Sequence, residues 1–315
     1  MSTTGVEPAA AGRVDWFTTA DGTRLHVAEH GAADAEYTLI LLHGWTLTRH
    51  SWQWVIEDLL ATSPVPLRVL SYDHRGHGSS DPAPTGTATI EQIADDLAEL
   101  IEARVPTGPV VLAGHSMGGM TIMALAERYP DLVASRVAGA AFVATSSGGL
   151  RNLTFGLPQP VASVIRRIER VAQRFERGTQ QRTGTGGGAA QEGRKLPPPV
   201  LRWLLFGERP ALEMLTATVE WVAQCHPASM AGFRASLDEH ERTAALAVLR
   251  DVPSVVLCGS GDRLCPEPHA RVIVRELPRA ELIIYGGAGH MLPLERHADV
   301  ARQILRVLVA AGARR

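Results

Sequence analysis

A serine flanked by glycines is the first residue in this chain that could do covalent chemistry. The segment GHSMGG at residues 114–119 lies between a short apolar run, residues 109–113, and a helix-forming run, residues 120–129. Glycine on both sides of the serine lets the backbone form a strained strand-to-helix turn and keeps neighbouring Cβ atoms away from the hydroxyl. The pattern predicts a nucleophile elbow that presents Ser116.

A carboxylate and a histidine follow later apolar runs. Asp262 closes the segment GSGD after the run 254–258, and His290 follows the run 281–285 and a glycine-rich turn. A histidine can take the proton of a serine hydroxyl near neutral pH, and a carboxylate on the other ring nitrogen fixes the tautomer and stabilises the imidazolium. Ser116, Asp262 and His290 therefore have the residue types and the chain order of an acyl-transfer triad.

Other histidines and one other carboxylate have comparable positions in the sequence. Asp251 is the competing carboxylate, but it precedes its strand and so belongs to the opposite end of the sheet. His290 could instead be a loop histidine that is hydrogen-bonded to the backbone. His240, His269 and His297 lie in helical or helix-start contexts and are interpreted as solvated surface residues.

The elements that must position these residues follow from an alternation of apolar runs and helical patterns. Residues 14–20 and 23–29 predict an antiparallel hairpin at a sheet edge. Six further apolar runs predict strands joined by right-handed helical crossovers: residues 37–42, 67–72, 109–113, 137–143, 254–258 and 281–285. The predicted fold is α/β, with a mostly parallel, eight-stranded, doubly wound sheet. The loops after its central strands meet at one rim, where ligands bind in such sheets.

The strand pattern is interrupted once, after the sixth strand. A helical block is inserted between the sixth and seventh strands. The sequence therefore predicts a sheet core made of residues 1–148 and 241–315 and a helical lid at 149–240. A glycine-rich segment near 179–198 is predicted to be a flexible linker inside the lid. A helix near 241–250 is expected where the alternation resumes.

The lid carries more apolar side chains than a thin cap needs for its own packing. This excess predicts a substrate with an apolar acyl or aromatic group, although the same residues could simply attach the lid to the core. These side chains are Phe155, Leu157, Trp203, Leu204, Leu205, Phe206, Met214, Trp221, Met230 and Phe233. One amphipathic helix, residues 161–175, has a basic face formed by arginines 166, 167, 170, 174 and 177. That face is either solvated or able to meet an acidic carrier protein or an anionic lipid surface.

Composition and charge exclude several other classes of protein. The chain has 315 residues, 45% hydrophobic and 20% charged, and a formal net charge of -2, which argues against a general nucleic-acid binder. Cysteines 225, 258 and 265 have no paired or metal-like spacing, which favours a reducing compartment. No secretory signal is visible at residues 1–8, and the longest apolar stretch, 137–145, is far shorter than the roughly 20 residues of a spanning helix. We therefore expect a cytoplasmic protein without a transmembrane segment.

Five motifs together resemble the α/β-hydrolase family over nearly the whole chain apart from the lid. They are LHGW at 42–45, DHRGHGSS at 73–80, GHSMGG at 114–119, GSGD at 259–262 and GH at 289–290. The resemblance implies that Ser116 is the nucleophile, His290 the general base and then acid, and Asp262 the residue that orients the imidazole. It also implies an oxyanion hole formed by the backbone N–H groups of Trp45 and Met117.

The resemblance also bears on two alternatives. Some members of the family carry the acid after the sixth strand, but Thr145 and Ser146 occupy that place here, which favours Asp262. The histidine-rich loop at 73–80 could be considered for a metal, and the resemblance makes it a structural turn. No metal and no cofactor is predicted.

Departures from subfamily patterns narrow the expected chemistry. Epoxide hydrolases and haloalkane dehalogenases of this fold use an aspartate at the elbow, where this chain has Ser116. The motifs look most like small serine esterases and cofactor-free haloperoxidases. We therefore predict a serine hydrolase that cleaves carboxylic esters of moderately hydrophobic small molecules through an acyl-enzyme. The alternatives are a thioesterase that releases an acyl chain from a carrier protein, and a ligand-sensing hydrolase fold with little turnover.

Overall fold

The computed structural model describes residues 12–152, 198–208 and 210–312. Within these ranges one sheet of eight strands runs in the order β1-β2-β4-β3-β5-β6-β7-β8. The strands are β1 Arg13–Thr18, β2 Arg24–Gly31, β3 Thr38–Leu42, β4 Arg68–Tyr72, β5 Val110–His115, β6 Val137–Val143, β7 Ser254–Gly259 and β8 Glu281–Tyr285.

The direction of the strands matches the predicted architecture. β1 pairs antiparallel with β2, and β2 pairs antiparallel with β4. From β4 through β3, β5, β6, β7 and β8 every pairing is parallel. The prediction of a mostly parallel, eight-stranded α/β sheet with an antiparallel edge is therefore confirmed.

Helices cover both faces of the sheet. The described α-helices are α1 Gln53–Thr62, α2 Ile90–Arg104, α3 Met117–Arg128, α4 Pro130–Arg136, α5 Pro198–Leu205, α6 Leu212–Gln224, α7 Pro227–Glu239, α8 Glu267–Glu276, α9 Leu292–Glu295 and α10 His297–Gly312. On one face α2, α3 and α8 contribute buried side chains, and on the other face α1 and α10 do so. The expected helix near 241–250 is shorter and tighter than predicted, a 3₁₀ helix at Ala244–Leu249.

Strand β3 shows why the central strands carry apolar side chains on both faces. Leu39 and Leu41 belong to the core beneath α1 and α10, while Ile40 and Leu42 belong to the core beneath α2 and α3. Successive side chains of a strand point to opposite faces, and here both faces are covered, so each position is buried. Residues 39–42 must therefore be apolar to fit between two helical layers.

The described part of the insertion between β6 and β7 consists of helices and the loops that join them. Between residues 198 and 240 the structure describes α5, α6 and α7 and no strand. Several predictions fall outside the described residues. They are the helix at 161–175, the five arginines of its basic face, Phe155, Leu157 and nearly all of the linker near 179–198. In the described part of the chain, none of the helices is sufficiently long and apolar to span a membrane.

Replacing a central core side chain should test the two-layer packing. Ile40 is fully buried, so Ile40→Ala should lower the free energy of unfolding by about 2–5 kcal/mol, through lost burial and the cavity left behind. Urea denaturation followed by circular dichroism measures the change. Val309→Ala, at a position on α10 that is 52% exposed, is the matched control and should change stability by no more than about 0.5 kcal/mol. Equal effects of the two substitutions would contradict this packing.

Candidate active site

Ser116 lies in the sharp turn between β5 and α3. Its backbone has φ 51° and ψ -117°, a left-handed conformation that costs a non-glycine residue about 1–3 kcal/mol. The glycines around it permit the turn, because a Cβ at Gly114 would come closer than 3.0 Å to the backbone of Gly118, and one at Gly118 closer than 3.0 Å to Leu42. Backbone segments therefore pack directly against each other beneath the serine.

Hydrogen bonds to the backbone of Ser116 hold this strained turn in place. Its N–H donates to the carbonyl of Val143 at 2.9 Å, and its carbonyl accepts from Thr145 Oγ1 at 2.7 Å. The N–H groups of Gly119 and Met120 reach the same carbonyl at 2.9 and 3.2 Å. All four bonds use main-chain atoms of the serine, so they fix the turn without engaging the hydroxyl.

Asp262 and His290 form a buried pair at the same rim of the sheet. His290 Nδ1 lies 2.9 Å from Asp262 Oδ2, and because a carboxylate only accepts, the proton lies on Nδ1. The other oxygen, Oδ1, accepts from the N–H groups of Leu264 at 2.8 Å and Cys265 at 2.9 Å. Burial alone would raise the pKa of Asp262, but His290 and these donors outweigh it, so the pKa lies below its usual value. The side chain is a carboxylate at neutral pH.

The backbone of His290 is held from two sides. Its N–H donates to the carbonyl of Leu205 at 2.8 Å, and its carbonyl accepts from His115 Nε2 at 2.8 Å. Burial, and then the nearby His290, lower the pKa of His115 to about 3, so His115 is neutral and carries its proton on Nε2. With the backbone and Nδ1 of His290 all engaged, Nε2 is the nitrogen left for proton transfer.

The structure brings the three predicted triad residues to one rim. Ser116 follows β5, Asp262 lies three residues beyond β7, and His290 follows β8. The rings of His115 and His290 have centroids 4.9 Å apart, and His115 immediately precedes the serine. The histidine loop therefore lies directly beside the serine turn.

The loop after β3 lies against the serine turn. A Cβ placed on Gly44 would lie 3.2 Å from the Cβ of Ser116, so Gly44 and the adjoining backbone N–H of Trp45 are beside the serine. The Trp45 indole N–H is tied to the carbonyl of Met230 in α7 at 3.3 Å. Met117 is the first residue of α3, so its N–H has no partner within the helix and lies at the positive end of the helix dipole.

Backbone strain is concentrated at this rim. Among the described residues other than glycine, a positive φ occurs at Thr46, Ser116 and Ala144, with values of 62°, 51° and 48°. These residues follow the carboxyl ends of β3, β5 and β6, three neighbouring strands. Such conformations persist only where the surrounding structure enforces them, and they cluster at functional sites.

The histidine-rich loop after β4 supports the loop after β3. His43 Nε2 accepts the backbone N–H of His74 at 2.9 Å, and His43 Nδ1 contacts the carbonyl of Gly44 at 2.8 Å. Burial lowers the pKa of His74 to about 3 and that of His77 to about 4, so both rings are neutral. Within the described ranges no group of three or more histidine, cysteine or acidic side chains has the arrangement of a metal site.

All three histidines that the sequence placed on the surface have hydrogen-bond partners within the protein. His240 is buried, with Nε2 3.1 Å from the carbonyl of Ser146 and Nδ1 3.0 Å from a guanidinium nitrogen of Arg242. His269 Nδ1 lies 2.7 Å from the hydroxyl of Ser146. The expectation of a solvated surface was wrong for His240, because its burial arises from contacts with the distant loop after β6. His297 is half-buried and bonds Asp58 at 2.6 Å.

Sequence reasoning also missed Leu205 and Glu295. Leu205 supplies the carbonyl that binds His290, and Glu295 accepts the N–H of Gly289, the residue before the histidine, at 2.9 Å. Neither has a local sequence signal, since one acts through its main chain and the other is a glutamate in an ordinary helical context.

Comparison with known proteins agrees with this fold. The sequence profile of a family described as the alpha/beta hydrolase fold matches residues 37–297. A non-heme chloroperoxidase of Streptomyces lividans is 30% identical over 93% of this chain and 98% of that protein. A pimeloyl-[acyl-carrier protein] methyl ester esterase of Neisseria meningitidis is 26% identical over 89% of this chain and 96% of that protein. The solved structure of a thermophilic esterase from Thermogutta terrifontis has a TM-score of 0.69 and 28% identity, covering 95% of this chain and 99% of that one.

These relatives and the sheet support a hydrolase with esterase-like activity. The chain belongs to the α/β-hydrolase family. The resemblance inferred from the five motifs, including its esterase and haloperoxidase-like branch, is thereby confirmed.

The buried neutral histidines should make the protein sensitive to mild acid. Burial lowers the pKa of five histidines below 6.5 in the folded state: His43, His74, His77, His115 and His240. The pKa is lowered to about 4 for His77 and His240 and to about 3 for His74 and His115. As the pH falls below about 6.5 the unfolded chain takes up protons first, so stability should fall from there towards about pH 4.

Each such histidine contributes a slope of at most about 1.4 kcal/mol per pH unit. Urea midpoints measured from pH 7 to pH 5 should therefore decrease, and His77→Asn should make that decrease shallower by removing one titrating group. A midpoint independent of pH would contradict the prediction.

Proposed function

We propose that this protein is a serine carboxylic-ester hydrolase that acts through an acyl-enzyme formed on Ser116. The observation that carries the proposal is the environment of His290. Its Nδ1 is bound to the buried carboxylate of Asp262 and its backbone is fixed on both sides, so Nε2 is left for a proton, beside a strained serine turn. That arrangement fits a general base for a serine nucleophile.

The proposed first half-reaction forms the acyl-enzyme. Ser116 Oγ attacks the carbonyl carbon of the ester while His290 Nε2 takes the hydroxyl proton. The negative charge moves to the carbonyl oxygen, where the N–H groups of Trp45 and Met117 would stabilise it by about 3 kcal/mol each. The tetrahedral intermediate then releases the alcohol, which takes the proton from His290. Asp262 stays ionised throughout and stabilises the imidazolium.

The second half-reaction regenerates the enzyme. Water attacks the acyl carbon, His290 takes its proton, and the second tetrahedral intermediate expels the serine oxygen, which regains the proton. One ester and one water give one acid and one alcohol, so no cofactor or metal is required by the balance. The strained turn at Ser116 serves both steps, because it keeps the oxygen at the N-terminus of α3.

The described lid residues give less direct support for an apolar substrate than the sequence suggested. Leu205, Phe206 and Trp221 are buried in one cluster with Leu47 and Met291, so these lid side chains attach the lid to the core. A lid over the site and a preference for a moderately hydrophobic acyl or aromatic group remain parts of the proposal. Turnover of esters with graded acyl length tests the preference.

One comparison favours a second candidate, an ester carried by an acyl-carrier protein. The Neisseria meningitidis relative is a pimeloyl-[acyl-carrier protein] methyl ester esterase, and it aligns with 89% of this chain. A carrier-bound acyl ester should then be cleaved faster than the same ester free in solution. An acyl thioester on the carrier tests the thioesterase alternative in the same assay.

Removing the hydroxyl tests the nucleophile. Ser116→Ala should lower the turnover of short-chain nitrophenyl esters by about 10⁴-fold or more, because the acyl-enzyme has no oxygen on which to form. A phosphonate should label Ser116 in the wild-type protein and leave the variant unlabelled, as measured by peptide mass spectrometry. Ser135→Ala, at an exposed position on α4, is the matched control.

Ester turnover by Ser116→Ala above about one hundredth of the wild-type rate would contradict the assignment. Labelling of Ser116 without turnover of any ester or thioester in the panel would favour the ligand-sensing alternative.

Neutralising the carboxylate tests the orientation of the imidazole. Asp262→Asn should lower kcat by about 10³–10⁴-fold, because an amide favours the wrong histidine tautomer and cannot balance the imidazolium charge. Asp251→Asn changes the exposed competing aspartate, which is 3.7 Å from Arg279, and should keep nearly full activity. Steady-state kinetics on the same ester compare the two, and similar losses would contradict the role of Asp262.

A further inference from the structure

Three distant segments of the chain meet backbone to backbone beside the His290–Asp262 pair. The contact is made by three glycines: Gly207 follows α5, Gly259 ends β7, and Gly289 precedes the histidine. A Cβ on any of them would approach the backbone of another of these segments more closely than the 3.0 Å that real Cβ atoms keep. The end of the lid helix α5 is therefore packed directly on the two loops that carry the pair.

The last carbonyls of α5 are bound by these same loops. The carbonyl of Leu205 accepts the N–H groups of His290 at 2.8 Å and Met291 at 3.1 Å. Arg263, the residue after Asp262, donates to the carbonyl of Trp203 at 2.7 Å and stacks on its ring at 4.9 Å. The end of a helix leaves such carbonyls without partners, and here the catalytic loops satisfy them. We call residues 205–207 the strap.

Glu295 in α9 closes this connection with its carboxylate. Its Oε2 accepts the N–H of Gly207 at 3.0 Å, and its Oε1 accepts the N–H of Gly289 at 2.9 Å. A carboxylate has two acceptor oxygens and no donor, so it can join two backbone N–H groups of different segments at once. Burial raises the pKa of Glu295, although these N–H groups act in the opposite direction.

Apolar packing keeps the strap on the core. Phe206 is 2% exposed, and Leu205 lies with it in a cluster that includes Met291 and Leu294 on either side of the α9 start. The strap is thus anchored by side chains as well as by backbone bonds. This position distinguishes it from a cap that only covers the site.

We propose that Glu295 is a positioning residue for His290, acting through the strap. By holding Gly207 against Gly289, it keeps the Leu205 carbonyl on the backbone N–H of His290 and the ring on Asp262. Glu295 makes no contact with the substrate in this proposal. The kinetic consequence rests on the proposed ester hydrolysis, whereas the geometry of the pair does not.

The test compares substitutions that keep or remove the side-chain volume. Glu295→Gln replaces one acceptor oxygen by an NH₂ group, which would face a backbone N–H, so kcat should fall about tenfold with little change in KM. Glu295→Ala should lower kcat about 10²-fold, as expected for a reacting group displaced by about 1 Å. Asp299→Asn, which changes a partly exposed carboxylate on α10 paired with Arg302, is the matched control.

A role in packing alone predicts that Glu295→Gln behaves as wild type, and that outcome would overturn the proposal. Circular dichroism establishes that each variant is folded. Should Glu295→Ala fail to fold, Glu295→Gln decides by itself.

A measurement without substrate separates this inference from the proposed function. The ¹⁵N chemical shifts of the two ring nitrogens of His290, identified by the signals lost in His290→Asn, report the tautomer and the bond to Asp262. They should change in Glu295→Gln and stay constant in Asp299→Asn. Changed shifts in a protein that cleaves no ester would support the positioning role while rejecting the function. A lower kcat with unchanged shifts would reject the positioning role.

Discussion

The structure depends on one requirement, that the buried carboxylate of Asp262 be fully paired. An ionised carboxylate can be removed from water only when hydrogen bonds and an opposite charge replace the lost hydration. Here His290 takes one oxygen, and the N–H groups of Leu264 and Cys265 take the other. Because the carboxylate cannot donate, this pairing fixes the proton on Nδ1 of His290. The loop after β7 thereby determines which nitrogen of a residue on another loop is free for chemistry.

Close backbone approach is the second constraint, and it explains where the glycines and the strain occur. At Gly114 and Gly118 the serine turn packs against neighbouring main chain, and at Gly207 the strap does the same. A side chain at these positions would push the loops apart. The strained φ values of Thr46 and Ser116 can persist because the strands and helices on each side hold both ends of the turns. The sheet thus stabilises backbone conformations at the rim that the loops alone would not adopt.

The sequence predicted what local patterns encode. The apolar run 39–42 specifies a strand with two covered faces. Threonine is a preferred residue at a helix N-terminus, and Thr89 at the start of α2 accepts the N–H of Gln92 at 3.1 Å. The residues of the candidate site were found because each follows a strand and lies among glycines. The burial of His240 and the backbone N–H groups that Glu295 binds could not be read in this way, because both arise from contacts between elements that are separated in the sequence.

The strap links the insertion between β6 and β7 to the candidate site. The backbone N–H of His290 is buried, and its acceptor is a carbonyl of the insertion and not of the core. Leaving such a group unpaired costs about 1–3 kcal/mol, so a sheet of this kind with another lid must offer another acceptor at the same place. The side chains on the outer face of this helix can therefore change freely. The position of its last carbonyls must be kept. Exchanging the insertion for a different one would disturb the histidine unless the strap residues 205–207 were kept together with Glu295.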